Sequence, residues 1–212
     1  MEKSFCTTRE AADLLGVSVG TVQLWVESGL LRAWKTTGGH RRVLRESIDA
    51  LLHHGARPSP KVAPPEPSQG SFRILVVEDD AALQRLYQAN LRRWDMTPDV
   101  TVVDNAVSAL MHIGHASPDL LISDLHMPGV DGFYMLRVLE KSPQVADTTI
   151  VVVTGLDAPD IARRGGVPEG VEIFPKPVPF AKLHALALTV QQRKITQNNA
   201  RKEGDRGPYS DS

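Results

Sequence analysis

The sequence of 212 residues predicts two domains of different class: a small helical domain with a β-hairpin, followed by an α/β domain with a doubly wound, five-stranded parallel sheet. Two observations predict this division. Five apolar β-runs alternate with helical segments after residue 71, a pattern typical of a parallel sheet covered by helices on both faces. Before them, five prolines interrupt the chain because proline fixes φ and lacks an N–H donor: Pro58, Pro60, Pro64, Pro65 and Pro67.

The domain boundaries follow from these patterns. We expect an N-terminal domain at 1–57, a proline-rich linker at 58–71 and the α/β domain at 72–192. Polyproline II geometry gives the linker a length of roughly 40 Å. Residues 193–212 have little to bury, so a disordered tail is expected there.

The N-terminal domain begins with a helix-turn-helix pattern. Thr7 and Glu10 have the spacing of a capping box, and Gly16 is placed to end the first helix. Ser18 is a second N-cap, before a helix that stops at Gly29. A two-residue hairpin turn is expected at Gly38-Gly39, and a last helix over 46–53.

The α/β domain alternates strands and helices in order. Strands are expected over 72–77, 97–103, 119–124, 148–155 and 171–174. Helices are expected over 81–94, 106–115, 132–141, 158–164 and 179–192. In such a sheet, ligands bind at the carboxyl ends of the strands.

Charge and composition exclude several classes of protein. Residues 1–57 carry 8 basic and 6 acidic side chains, whereas residues 72–190 carry 10 and 15. This asymmetry favours a polyanion partner for the first domain and an acidic site in the second. A single cysteine, Cys6, excludes an intramolecular disulfide framework. No apolar run is long enough for a membrane span or a signal peptide, so we expect a cytoplasmic protein without membrane partners.

The strand ends of the α/β domain concentrate acidic residues. Glu78, Asp79 and Asp80 follow the first strand, and Asp124 follows the third. Thr154 and Lys176 follow the fourth and fifth. Converging carboxylates repel one another unless a cation is bound, and their hard oxygens suit Mg²⁺. With a lysine and a hydroxyl beside them, they indicate phosphoryl transfer to an aspartate.

These residues stand in the motifs ILVVEDD, LLISDLHMPGVDGF, VVVTG and FPKP, and residues 72–190 resemble the flavodoxin-like receiver domain of two-component response regulators. The resemblance implies that Asp124 is the phosphoacceptor and that Thr154 and Lys176 contact the phosphoryl group. It assigns Mg²⁺ to Glu78, Asp79, Asp124 and the backbone carbonyl of His126. Two features depart from the family: Ile173 replaces an aromatic residue, and the helix at 158–164 is short.

Residues 5–52 resemble the winged helix-turn-helix domains of MerR-like proteins and phage excisionases, through TTREAADLLGVSVGTVQLWVESGLL and TTGGHRR. The second helix has the size and polarity to lie in a major groove, and the hairpin is basic. The DNA-binding residues expected on the helix and hairpin are Ser18, Gly20, Thr21, Gln23, Lys35, His40, Arg41 and Arg42.

Together the two resemblances predict a DNA-binding response regulator of a bacterial two-component system, which turns over no metabolite and is therefore not an enzyme in that sense. A histidine kinase would phosphorylate Asp124 to control transcription, and a homodimer through the receiver would place two DNA-binding domains on neighbouring half-sites. Two alternatives stay open. One is a signalling adaptor in which both domains bind proteins. The other is an architectural DNA-binding protein without promoter-specific regulation.

Overall fold

The computed structural model describes residues 4–27, 29–36, 41–55, 71–127 and 131–204. The N-terminal domain contains three strands and three helices. In chain order they are β1 (Phe5–Thr7), α1 (Thr8–Leu15), α2 (Val19–Glu27), β2 (Ala33–Lys35), β3 (Arg41–Leu44) and α3 (Arg45–Gly55).

Local hydrogen bonds explain how the helix-turn-helix forms. The Thr7 hydroxyl accepts from the Glu10 amide, and the Glu10 carboxylate accepts from the Thr7 amide, so the predicted capping box is confirmed. Gly16 adopts a φ of 67° at the end of α1, a left-handed conformation that glycine adopts without steric cost. The Ser18 hydroxyl accepts from the Thr21 amide at 3.1 Å, which caps α2 as expected.

The small sheet differs in part from the prediction. Its order is β1-β3-β2 with antiparallel pairing, which confirms the hairpin and adds a strand, β1, that the sequence pattern did not predict. Lys35 pairs with Arg41, and this register leaves five residues between the strands. The two-residue turn predicted at Gly38-Gly39 lies outside the described residues.

The second domain is the five-stranded parallel sheet that the sequence predicts, in the order β5-β4-β6-β7-β8. Its strands are β4 (Arg73–Val77), β5 (Asp99–Val103), β6 (Leu120–Ser123), β7 (Thr149–Thr154) and β8 (Glu172–Pro175). Its helices are α4 (Ala81–Leu91), α5 (Ala106–His115), α6 (Gly132–Glu140), α7 (Ala158–Arg163) and α8 (Phe180–Gly204), with a 3₁₀ turn at Pro143–Val145 after α6.

Helices cover both faces of this sheet. Alternate strand residues such as Leu75 and Leu121 face α5 and α6, and the residues between them face α4 and α8. The buried residues of α5 and α6 are continuous with those of the N-terminal domain. The fold class predicted from the sequence is therefore confirmed.

Helix α8 is longer than expected. It continues to Gly204, so residues 193–204 are helical where a disordered tail was predicted. The Lys194 ammonium donates to an Asp119 carboxylate oxygen at 2.7 Å and to the Ser71 carbonyl at 2.8 Å, and Arg193 donates to the Thr149 hydroxyl. These polar contacts hold the first residues of the extension, and apolar periodicity cannot reveal them. Residues 56–70, which include most of the predicted linker, and residues 205–212 lie outside the described residues.

Candidate functional site

The carboxyl edge of the parallel sheet brings the predicted acidic residues together. Glu78 and Asp79 follow β4, and Asp124 follows β6, the neighbouring strand. Their carboxylate oxygens lie within 4.8 Å of one another. Glu78 and Asp124 are buried and Asp79 is exposed, so the cluster opens to solvent on one side.

Asp124 is held in one orientation by backbone and side-chain donors. Its Oδ1 accepts from the Leu125 amide at 2.6 Å and from the His126 amide at 3.1 Å. Its Oδ2 accepts from the Lys176 ammonium at 2.8 Å. Asp124 is 6% exposed, so a small group can reach its carboxylate while most of the side chain is shielded from solvent.

Lys176 bridges the two buried carboxylates. Its Nζ lies 2.8 Å from Glu78 Oε2 and 2.8 Å from Asp124 Oδ2. Burial alone would lower the pKa of Lys176, but its hydrogen bonds to Asp124 and Glu78 outweigh burial and raise it. Burial raises the pKa of Glu78, although Lys176 opposes the rise. The lysine therefore stays protonated and provides the cation that this pair of acids needs.

The donor set fits a divalent cation with a preference for oxygen. Three carboxylates converge, and Lys176 supplies one positive charge toward them, so negative charge remains in excess. Glu78, Asp79 and Asp124 can thus hold a metal ion.

The remaining predicted residues lie at the same edge. Thr154 ends β7 and is fully buried, and its hydroxyl accepts from the Leu156 amide at 3.4 Å. His126 is exposed beside Asp124. Asp80 caps α4, because its Oδ1 accepts from the Leu83 and Ala82 amides, and these two bonds lower its pKa. Asp80 therefore stabilises the start of α4.

Sequence reasoning gave no role to two residues that shape this edge. Gly132 begins α6 so close to Asp124 that a Cβ there would lie 2.7 Å from the Asp124 carbonyl oxygen. Gln84 donates from its side-chain amide to the Glu78 carbonyl at 2.6 Å. The sequence does indicate the close approach of Gly132, because Asp131 is a helix N-cap and a glycine directly after a cap suggests that another backbone lies close by.

On the N-terminal domain, most residues predicted to bind DNA are accessible. Ser18, Gly20 and Gln23 are accessible on or beside α2, and Lys35 is exposed on β2. On β3, Arg41 forms a 2.8 Å ion pair with Glu27, and Arg42 donates to the Arg41 carbonyl. His40 lies outside the described residues.

Thr21 is placed differently from its neighbours on α2. It is only 3% exposed, and its hydroxyl accepts from the side-chain amide of Gln144, in the 3₁₀ turn of the second domain, at 3.0 Å. In this arrangement Thr21 faces the α/β domain, and DNA cannot reach it.

Comparison with known families agrees with both domains. The model of the response regulator receiver domain matches residues 74–188, and a helix-turn-helix domain model matches residues 5–55. The chain belongs to the response regulator receiver family. Its N-terminal domain is a helix-turn-helix domain, as its elements indicate. The receiver and the helix-turn-helix are both regulatory domains.

Curated relatives match this response regulator over about half of its length or more. Response regulator PleD of Caulobacter vibrioides is 29% identical over 131 residues, 62% of this chain and 28% of the relative. DNA-binding transcriptional regulator NtrC of Escherichia coli is 26% identical over 139 residues, which are 65% of this chain and 29% of the relative. A protein-glutamate methylesterase/protein-glutamine glutaminase of Myxococcus xanthus is 32% identical over 110 residues, which are 52% of this chain and 31% of the relative. The chain spans less than a third of the length of each of these relatives.

Solved structures resemble the receiver domain in fold. A signal receiver domain from Vibrio parahaemolyticus has a TM-score of 0.50 at 22% identity, covering 61% of this chain and 97% of that chain. The N-terminal domain of a Wolinella succinogenes protein has a TM-score of 0.51 at 21% identity, and the match covers 60% of this chain and 99% of that chain.

The response regulator keeps both departures noted in its sequence. Ile173 is 40% exposed on β8, whereas Phe174 points to the opposite face and packs against the core beneath α8. Helix α7 has six residues and ends before Gly165 and Gly166, which both adopt positive φ. Among the described residues, no helix has both the length and the apolar character needed to cross a bilayer.

Proposed function

We propose that this response regulator receives a phosphoryl group on Asp124 from a histidine kinase, with Mg²⁺ bound, and binds double-stranded DNA to control transcription. The observation that carries the proposal is the 2.8 Å contact of Lys176 with both Asp124 and Glu78. This contact gives the acceptor carboxylate a paired cation and a neighbouring acidic group at one open edge.

The residues of the site have distinct roles in the transfer. A carboxylate oxygen of Asp124 attacks the phosphorus of the phosphohistidine, a P–O bond forms, and the P–N bond to the histidine breaks. Lys176 then moves its hydrogen bond from Asp124 to a phosphoryl oxygen, and the Thr154 hydroxyl donates to another. Mg²⁺ would be held by Glu78, Asp79, Asp124 and the His126 carbonyl, and would supply positive charge that neutralises the transferred group.

Phosphodonor labelling tests the acceptor. In the presence of Mg²⁺, Asp124→Asn should abolish labelling by a small acyl phosphate, because an amide oxygen is a poor nucleophile. Asp80→Asn is the matched control, since Asp80 serves as a helix cap and an asparagine can cap as well. Mass spectrometry of the intact protein reads the phosphoryl group directly. Labelling that persists in Asp124→Asn would place the acceptor elsewhere.

DNA binding is supported by the exposed face of α2 and the adjacent basic strand. Gln23 is the residue on α2 best suited to read a base, because its side-chain amide can bond adenine. Arg41, Arg42 and Lys35 are suited to phosphates, which carry no sequence information. Ser18, Gly20 and His40 complete the proposed interface. NtrC, a DNA-binding transcriptional regulator, is among the relatives that support this assignment.

Salt dependence separates the two kinds of contact. Changing Arg41 and Arg42 together to alanine should weaken binding to specific and random duplexes alike and reduce the salt slope by about two units. Gln23→Ala should relax base preference at a cost of about 1–3 kcal/mol at one base pair. Changing the adjacent, exposed Arg92 and Arg93 of the receiver to alanine is the matched control. An unchanged salt slope in the Arg41 and Arg42 variant would refute the phosphate assignment.

A further inference from the structure

The first turn of α2 exposes an apolar side chain that has no assigned role. Val19 is 38% exposed, and Gln23 is exposed one turn further along the same face, because residues four apart in a helix are neighbours. The opposite face of these turns points into the protein, where Thr21, Val22 and Trp25 are buried. Val19 therefore presents methyl groups to solvent beside the residue that we assign to reading a base.

The other accessible residues at this end of α2 have little to offer a base. The Ser18 hydroxyl accepts from the Thr21 amide at 3.1 Å and shares a second hydrogen bond, of 2.8 Å, with the Thr21 hydroxyl. A hydroxyl then has one hydrogen bond left, which suits a phosphate. Gly20 has no side chain, and a Cβ built there would have one described neighbour beyond the adjacent residues within 4 Å, the Ser18 hydroxyl at 3.6 Å. The surface beside Val19 is open to a close approach.

The chemistry of the major groove matches this pair of side chains. Thymine carries the 5-methyl group, which apolar side chains contact, and adenine offers a donor and an acceptor that fit a glutamine amide. Residues four apart lie about 6 Å apart along a helix axis, and successive bases of one strand lie about 3.4 Å apart along the duplex. Val19 and Gln23 can therefore contact bases that are no more than about two base pairs apart.

We propose that Val19 contacts the 5-methyl group of a thymine in the major groove, within about two base pairs of the adenine read by Gln23, and determines the base preference at that position. The inference rests on the proposed DNA-binding function. Removing one methyl group from water changes an equilibrium constant about fourfold. Cytosine has no such methyl group, and its amino group would be buried against Val19 without an acceptor, so cytosine is disfavoured there.

Replacing thymine by deoxyuridine tests the contact, because the two nucleotides pair alike and differ in the 5-methyl group. A preferred duplex is first selected from a random pool with the full chain, with Mg²⁺ and the phosphoryl mimic beryllofluoride present. Each thymine of that duplex is then replaced in turn, and fluorescence anisotropy measures the affinity of the unmodified chain and of Val19→Ala. Leu86→Ala is the matched control, because Leu86 is an exposed apolar residue on α4 of the receiver. Circular dichroism checks that each variant is folded.

At one thymine, loss of the methyl group should weaken binding of the unmodified chain about fourfold. Val19→Ala should bind the thymine and deoxyuridine duplexes equally at that position, whereas Leu86→Ala should keep the full difference. The sensitive thymine should lie within about two base pairs of the position at which Gln23→Ala relaxes base preference.

Three results would overturn the thymine contact and leave DNA binding intact. They are an equal deoxyuridine effect in the unmodified chain and in Val19→Ala, the absence of any sensitive thymine, and a random pool from which no duplex is preferred. A chain that binds no duplex at all would refute the DNA-binding function, and the thymine contact would fail with it.

Discussion

Gly132→Ala tests how tightly α6 packs against Asp124, the proposed phosphoacceptor. The added Cβ would lie 2.7 Å from the Asp124 carbonyl oxygen and 2.8 Å from Leu125 Cα. Both obstacles are backbone atoms, so no side chain can rotate away. To reach the 3.4 Å of ordinary contact, α6 and the segment after β6 must separate by roughly 0.7 Å.

The expected cost follows from what α6 buries. Its core residues are Phe133, Met135, Leu136, Val138 and Leu139, and a gap of this size loses a quarter to a half of the dispersion energy across it. Overpacking of this kind costs about 3 kcal/mol at the upper end, and the better helix propensity of alanine returns about 1 kcal/mol. We therefore expect the free energy of unfolding to fall by about 2 kcal/mol.

Urea denaturation measures this difference, with Gly155→Ala as the matched control. A Cβ added at Gly155 would have no neighbouring atom within 4 Å, so the same chemical change there should leave the transition midpoint unchanged. The Leu125 amide holds Asp124, so Gly132→Ala should also slow phosphodonor labelling. If Gly132→Ala unfolds within about 0.5 kcal/mol of the unmodified chain, the backbone contact is not as close as we describe.

Two further predictions concern charge and assembly. Because burial raises the folded-state pKa of Glu78 above 4.5, the folded protein binds more protons there than the unfolded chain, so stability should fall as pH rises from 4.5 through the folded-state pKa. In Glu78→Gln, measured with a chelator present, that part of the decline should disappear; equal pH profiles would refute the assignment. Homodimerisation through the receiver, which we expect from the sequence, would raise the mass of the full chain in light scattering when beryllofluoride is added. Leu188 and Ile195, exposed and seven residues apart on α8, are candidates for that interface, and an unchanged mass would count against it.

Much of the fold was predictable because the local signals agree with the tertiary structure. The capping box at Thr7 and Glu10 and the left-handed Gly16 define the helix-turn-helix from the sequence alone. Apolar β-runs alternating with helices define the parallel sheet, and strand direction places Glu78, Asp79 and Asp124 at one edge. These features depend on hydrogen bonds and burial within short segments, so neighbouring residues in the sequence encode them.

Other features depend on partners distant in the sequence. Strand β1 exists because it pairs with β3, and Asp119 and Thr149 at the edge of the sheet bind Lys194 and Arg193, where α8 extends beyond its predicted end. The burial of Thr21 depends on Gln144, which lies 123 residues further along the chain. No periodicity or motif around Thr21 reports that contact. The sequence by itself determined which residues are candidates for phosphoryl transfer and for DNA contacts. Only the packing of one domain on the other decided that Thr21, one of these candidates, is covered.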